Sequence, residues 1–335
     1  MRPSFAPRLI NGPFNDPGLF VPLSFRNHAL LFDLGDLSNL SSGDLLKTSH
    51  IFVSHTHMDH FIGFDHILRL LLGRAVNLSL YGPAGFLKNI QGKLHGYTWN
   101  LVQNYKEALT LNATEIHADH TVTQIFDCRK FFVPDDPMVK ENQDMVIYEE
   151  PGIKVYTTIL DHRIECLAFA VEERFHINIL KTRLEELGLA VGPWLSHFKQ
   201  LLYQKADPAT EFRVPEGFGQ HAPCIFQLGE LAEKIARITP GQKLAYVTDA
   251  AYTQKNQRKI ISLAHRADNL FIEAAFLQAD HLTALEKYHL TAHQAGILAH
   301  RARARSMTIF HHSPRYLDKG HLIEKEARTA FESGS

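Results

Sequence analysis

Apolar and polar positions repeat along this chain with two different periods. Short apolar runs bounded by turn residues recur at HALLFDLG (from His28), SHIFVSH (from Ser49), LSLYG (from Leu78), KLAYVTD (from Lys243), NLFIEA (from Asn269) and MTIFHH (from Met307), and their length and bounds predict strands. Between them lie longer stretches with helical spacing: HFIGFDHILRLLLG over 60–73, NQRKIISLAHRA over 256–267 and TAHQAGILAHRARA over 291–304. Pro83, after LSLYG, stands where a helix can begin. Thr291 and Gln294 have capping-box spacing, which opens a helix just after His289. Two β-rich stretches are expected near 114–133 and 151–171, with the charged loop PDDPMVKENQD between them. Residues 1–27, rich in Pro, Gly and Asn, read as irregular or edge structure.

Such alternation implies sheets covered by helices, a mixed α/β architecture over 1–335. Residues 172–225 fit it least. They open on a helical NILKTRLEELG, continue through GPWLSHFKQLL and end in a Pro/Gly-rich stretch, and are expected to form an inserted arm. Composition narrows the classes further. Of the 335 residues, 45% are hydrophobic and 21% charged, which excludes disordered and fibrous chains. A formal charge of -1 excludes a polycation that meets nucleic acid through net charge alone. No apolar run reaches a membrane span and no signal-peptide core is evident, so no membrane partner is expected. Cys128, Cys166 and Cys224 are odd in number and far apart, which points to a reducing cytoplasm and to small buried apolar residues.

Histidine is the abnormal residue, at 21 copies. Four potential ligands, His55, His57, Asp59 and His60, follow directly on a predicted strand in Val53-Ser54-His55-Thr56-His57-Met58-Asp59-His60. Neither a strand nor a helix can aim all four at one point, whereas a strand-to-helix turn can wrap them round a small volume. Imidazole and carboxylate are the donors that Zn²⁺ accepts, and a thiolate-free set suits a catalytic site. A His-rich surface loop is the competing reading. His117 and His120 in EIHADH and His66 on the following helix are expected to be structural or solvated, and His312 to face away from His311.

These residues carry a resemblance. HTHMDH with the upstream LFDLG resembles the signature of the metallo-β-lactamase superfamily. LDHRIECLAFAVEE, YVTDAAYT, FIEAAF, HLTA and IFHHSPRY follow in the order of its ribonuclease Z branch, from about His28 to Tyr316. The resemblance implies a four-layer αβ/βα sandwich with metals at one edge. It implies one zinc held by His55, His57 and His162, a second by Asp59, His60 and His311, and Asp249 bridging the two; Mn²⁺ or Fe²⁺ would also suit these ligands. Two such metals can hold a bridging hydroxide and clamp a phosphoryl group, with Asp59 orienting or deprotonating the water. Asp33 in LFDLG would fix the ligand loop by hydrogen bonding. The leaving oxygen needs a proton, and the resemblance assigns its delivery to His289, oriented by Glu273. The motifs around these two differ from the family's: Leu290 stands where Ser is usual, and Ile272 and Ala275 replace a flanking His and Thr.

The implied activity is that of a dinuclear-zinc phosphodiesterase and endoribonuclease that removes 3′ trailers from precursor transfer RNA. The arm, which contains Gly192-Pro193, occupies the place of the family's RNA-gripping insertion, and a homodimer is implied. Its charge is nearly balanced: Lys181, Arg183, Lys199, Lys205 and Arg213 face Glu185, Glu186, Asp207 and Glu211. Hydrolysis of a small phosphodiester, thioester or lactone on the same fold is the first alternative, and a non-catalytic RNA-binding relative the second.

Overall fold

A computed structural model describes residues 4–24, 28–142, 144–219 and 224–334. The end of the expected arm at 220–223, and residues 1–3 and 25–27 of the N-terminal stretch, lie outside them. The described residues divide into two compact units. The smaller comprises Ser4, 148–154 and 172–242, and the larger the remainder.

The larger unit begins with β1 (Arg8–Leu9), β2 (Leu19–Pro22), β3 (Ala29–Phe32), β4 (Thr48–Phe52), β5 (Val76–Pro83), β6 (Leu109–Ile116), β7 (His120–Asp127) and β8 (Met138–Glu141), joined in that order into one sheet. β3 to β6 run parallel, with antiparallel strands on either side. The next strands in the chain are β9 (Val146–Glu150), β10 (Ile153–Asp161) and β11 (Glu165–Glu173). β12 (Phe175–Ile179), β13 (Glu211–Val214), β14 (Cys224–Gln227) and β15 (Ala236–Pro240) belong to the smaller unit. Then come β16 (Lys243–Val247), β17 (Asn269–Glu273) and β18 (Met307–Phe310), and the second large sheet has the order β18-β17-β16-β11-β10-β9.

Side-chain alternation builds four layers from these sheets. Phe32 and Phe52 stack at 5.0 Å on the inner face of the first sheet and meet Phe169 and Tyr246 of the second at 5.5–5.9 Å. Their neighbours Leu31, Ile51 and Val53 face outward to Phe64, Ile67, Leu71 and Ile90 on covering helices. Behind the second sheet, Ala245, Val247, Leu270 and Ile272 pack on Ile260, Leu298, Ile323 and Ala327 from helices Gln254–Leu263, Ala292–Arg301 and Gly320–Ser333. This is the expected αβ/βα sandwich.

Several local expectations are corrected. Pro83 closes β5 rather than opening a helix: it stands last in the strand, and helix Phe86–His95 starts only after Gly85, whose φ of 86° suits glycine. The helix over 60–73 breaks into Met58–Phe61 and Phe64–Leu71. At the break the Gly63 N–H donates to Leu34 O at 2.8 Å, and a Cβ on Gly63 would lie 2.3 Å from Gly35 O. The charged 134–144 loop contains β8, an exposed edge strand whose charges discourage further pairing. The start of NILKTRLEELG is strand, because Phe175–Ile179 pairs with β15, and the helix is confined to Lys181–Glu186.

The smaller unit extends past the expected arm, to Gln242. It has its own core of Leu184, Trp194, Phe198, Phe212, Leu231 and Ile235. Its second helix, Trp194–Tyr203, lies in the GPWLSHFKQLL stretch, to which the sequence pattern assigns no element.

Candidate metal centre

Each candidate ligand leaves the end of a strand or the turn beyond it. His55 comes three residues after β4, His162 directly after β10, Asp249 two residues after β16 and His311 directly after β18, while Glu273 ends β17. Strand ends carry side chains from distant parts of the sequence to one edge of the sheets, as open α/β folds do for their ligands.

The structure brings all seven proposed ligands together. Nitrogen and oxygen atoms of His55, His57, His162 and Asp249 lie within 4.8 Å of one another, as do those of Asp59, His60 and His311. Asp249 stands between the groups. Its Oδ2 is 3.3 Å from His162 Nε2 and 3.7 Å from His55 Nε2, and its Oδ1 is 3.2 Å from His311 Nε2 and 3.5 Å from His60 Nε2. Asp59 Oδ2 is 3.6 Å from His60 Nε2 and 3.7 Å from His311 Nε2. Ligands bonded to one tetrahedral ion at about 2.0–2.1 Å are separated from each other by about 3.3 Å, so these spacings suit donors that share an ion.

The protonation of His55, His57 and Asp249 fits too, whereas at His60 burial is outweighed by Asp249 and then Asp33, which raise its pKa well above the usual value. Burial, and then the neighbouring His60, lowers the His55 pKa to about 2, and burial together with His162 lowers that of His57, so both keep lone pairs to give. Asp249 is fully buried yet ionised: burial favours the neutral acid, but His311 and His60 hold it well below the carboxylate range. His60 is the telling case. Its Nδ1 meets Asp33 Oδ2 at 2.9 Å, and its buried Nε2 has no hydrogen-bond partner among the described residues. A buried ring nitrogen without a partner, facing two carboxylates, is a costly arrangement that a cation relieves. The residues present therefore fit a divalent metal centre.

Around the donors lies a supporting shell that sequence reading found in part. Asp33, as expected, fixes the ligand loop: it accepts from Ser54 N at 2.7 Å, Ser54 Oγ at 2.9 Å and Tyr246 OH at 2.9 Å, besides facing His60. Tyr246 and Ser54 were missed, and the polar-tipped Tyr246 in an otherwise apolar strand was the available signal. Thr248 Oγ1 donates to Asp249 Oδ1 at 2.9 Å. Asn256 Nδ2 donates to Asp161 O and Ala251 O, both at 2.8 Å, tying the His162 turn to the Asp249 turn. His162 Nδ1 donates to the Tyr288 carbonyl at 2.8 Å, which sets the tautomer and turns Nε2 toward Asp249. Only the fold connects residues 162 and 288.

His289 and Glu273 meet as a pair. Glu273 is fully buried and accepts from His289 Nδ1 at 2.9 Å through Oε2 and from Ala250 N at 2.8 Å through Oε1. Burial acts to lower the His289 pKa, but Glu273 and then Asp249 outweigh it and raise it to about 9. The altered motif residues are core: Leu290, Ile272 and Ala275 are buried, and Leu290 O accepts from Ala275 N at 3.1 Å. Thr291 and Gln294 form the expected capping box. A second His-Leu-Thr-Ala at 281–284 sits in helix His281–Lys287, where His281 is exposed and outside the cluster.

The remaining histidines lie elsewhere. His311 has φ 59°, and this left-handed turn, rather than strand alternation, separates it from His312, which is buried against Phe14 and donates from Nδ1 to Ala274 O at 2.8 Å. His117 and His120 stack at 4.4 Å beside Glu115 and Asp119, and His66 is exposed on its helix. Cys128 and Cys166 are buried and Cys224 is half-buried.

Comparison with known proteins finds similarity over most of the chain. Ribonuclease Z of Deinococcus radiodurans is 28% identical over 290 residues, covering 86% of this chain and 83% of that protein. Ribonuclease Z of Bacteroides fragilis is 26% identical over 323 residues, or 92% and 87% of the two chains. The chain is thus similar to ribonuclease Z proteins over most of its length. Its fold is that of the metallo-β-lactamase proteins: the fold protein YhfI of Bacillus subtilis superposes with a TM-score of 0.57 at 15% identity, covering 97% of this chain and 92% of that one. Human tRNase Z, short form, superposes with a TM-score of 0.53 at 16% identity, covering 92% and 93%. No family model matches the chain. No helix among the described residues is long and apolar enough to cross a membrane.

Proposed function

We propose that this ribonuclease Z-like chain is a metal-dependent endoribonuclease that removes 3′ trailers from precursor transfer RNA, leaving a 3′-hydroxyl and a 5′-phosphate. One observation carries the reading: Asp249 offers one carboxylate oxygen to each of two histidine groups, beside a half-buried His289 held by the buried Glu273. The names of the relatives supply the substrate class. His55, His57 and His162 would hold one zinc ion, Asp59, His60 and His311 a second, and Asp249 both, with Mn²⁺ or Fe²⁺ as substitutes. The chemistry available from divalent metal at such a site is charge stabilisation of phosphoryl oxygens and activation of water at neutral pH.

The chain's own residues do the rest. His289 donates Nδ1–H to Glu273, which leaves Nε2 to carry the proton needed by the departing O3′. As the P–O3′ bond breaks, that proton passes to the oxygen. Glu273, anchored by Ala250 N, keeps the ring oriented and its positive charge compensated. Asp59, half-buried at the rim, is placed to orient or deprotonate the attacking water. The working form is taken to be a homodimer, as in the resemblance.

The test compares turnover of a trailer-bearing precursor transfer RNA and of bis(p-nitrophenyl) phosphate by one zinc-loaded preparation. Asp249→Ala should lose both metals and all activity. His289→Ala should keep the metals and lower kcat by roughly 10²–10⁴-fold, the usual scale of acid catalysis; loss of metal from that variant would make His289 a ligand instead. The near-balanced charge of the arm favours a second reading, hydrolysis of a small phosphodiester, which turnover of the ester alone would establish.

A further inference from the structure

Two arginines lie over aromatic rings next to the Glu273–His289 pair, and they differ in what else they touch. Arg315 stands 5.6 Å from the centroid of Phe276, whose ring is 6.2 Å from that of His289, and Arg315 Nη1 lies 3.6 Å from Asp280. Phe276 is buried, so its ring is closed to a stacking base, and Arg315, though exposed, is already ion-paired. Arg163 stands 5.8 Å from the centroid of Tyr288. It is exposed and makes no ion pair among the described residues. The Tyr288 ring is half-exposed, and its hydroxyl has no hydrogen-bond partner among the described residues.

Both residues are held at the site by their backbones. Arg163 follows His162 with φ 64°, in a turn closed by Arg163 N donating to Asp161 Oδ1 at 2.8 Å and by His162 N donating to Ile164 O at 3.0 Å. Tyr288 precedes His289 with φ 61°, and its carbonyl accepts from His162 Nδ1. The His162 and His289 rings are 4.9 Å apart. A free guanidinium and a half-exposed phenol ring thus flank the residue assigned to protonate the leaving oxygen. An aromatic face with an unpaired cation over it is the combination that binds a nucleotide of single-stranded RNA without reading its sequence: the ring stacks a base and the guanidinium meets a phosphate.

We propose that Tyr288 and Arg163 form the subsite for the nucleotide that supplies the leaving oxygen, Tyr288 stacking its base and Arg163 pairing with its 5′ phosphate. This rests on the endoribonuclease reading above. The nearly neutral arm makes such a contact more valuable, because a single-stranded 3′ end needs a grip of its own at the scissile bond.

The test uses zinc-loaded full-length protein, precursor transfer RNA with a 3′ trailer, and bis(p-nitrophenyl) phosphate, which has no base to stack and no second phosphate. Arg163→Ala and Tyr288→Leu should each raise KM for the RNA about tenfold, the scale of one stacked base or one phosphate contact, with a several-fold smaller effect on kcat/KM for the ester. Tyr288→Phe should restore RNA binding, since the ring and not the hydroxyl does the stacking. Arg163→Ala should also reduce the slope of log affinity against log salt by about one phosphate's worth. Equal losses on both substrates would assign the residues to the support of His162 and overturn the subsite. Wild-type RNA cleavage with both variants unaffected would overturn it alone, whereas ester turnover without RNA turnover by the wild type would overturn the endoribonuclease reading and the subsite with it.

Discussion

Asp33 shows at the scale of one residue how the site is held. It sits fully buried at φ 58°, a conformation Asp tolerates better than most residues, and gathers Ser54 N, Ser54 Oγ, Tyr246 OH and His60 Nδ1 on two oxygens. Asp33→Ala leaves those buried groups unpaired, and should weaken metal binding about 10–100-fold, as measured by calorimetric titration. Glu273 is the corresponding residue for His289. Its negative charge raises the His289 pKa, so Glu273→Gln, which keeps the size and loses the charge, should lower it. The protonated donor then disappears at lower pH, and the alkaline limb of the kcat profile should move to lower pH. An unmoved limb would assign that limb to another group. His55, His57, Asp59 and His60 were legible in the sequence because six consecutive residues hold all four. Tyr288 was not, since what it contributes to His162 is a carbonyl that every residue type carries.

At the scale of elements, the turn after β4 depends on close approach. A Cβ on Gly63 would fall 2.3 Å from Gly35 O, and one on Gly35 would fall 2.8 Å from Asp59 O, so backbone meets backbone on both sides of the ligand loop. Gly63→Ala should therefore cost about 1–3 kcal/mol of stability, the range for overpacking, and should reduce metal affinity by displacing His60. Urea unfolding and metal titration of the same variant check both halves. The parallel strands and the helices behind the second sheet were legible from periodicity, because burial on both faces leaves near-continuous apolar runs. β8 and β12 were not. An exposed edge strand such as Met138–Glu141 has a loop's composition, and Phe175–Ile179 became a strand through its pairing with Ala236–Pro240, some sixty residues away.

At the scale of the whole molecule, the proposed metals tie together strand ends from both sheets of the larger unit: β4 from the first, and β10, β16 and β18 from the second. Metal bound only by the native state should then stabilise it, by about 2.7 kcal/mol at a free concentration of one hundred times Kd. Chelation should lower Tm accordingly, whereas Asp249→Ala should show no metal-dependent shift in the same thermal scan. By itself the sequence determined the αβ layering, the clustering of His55, His57, Asp59 and His60 in one loop and the order of the candidate motifs, because period and local spacing are properties of neighbouring residues. Tertiary structure decided which oxygen of Asp249 faces which histidine group, which of the two His-Leu-Thr-Ala segments joins the site, and which arginine beside His289 has no ion pair among the described residues. Those depend on where strand ends converge, and convergence is set by sheet order and packing between residues far apart in the chain.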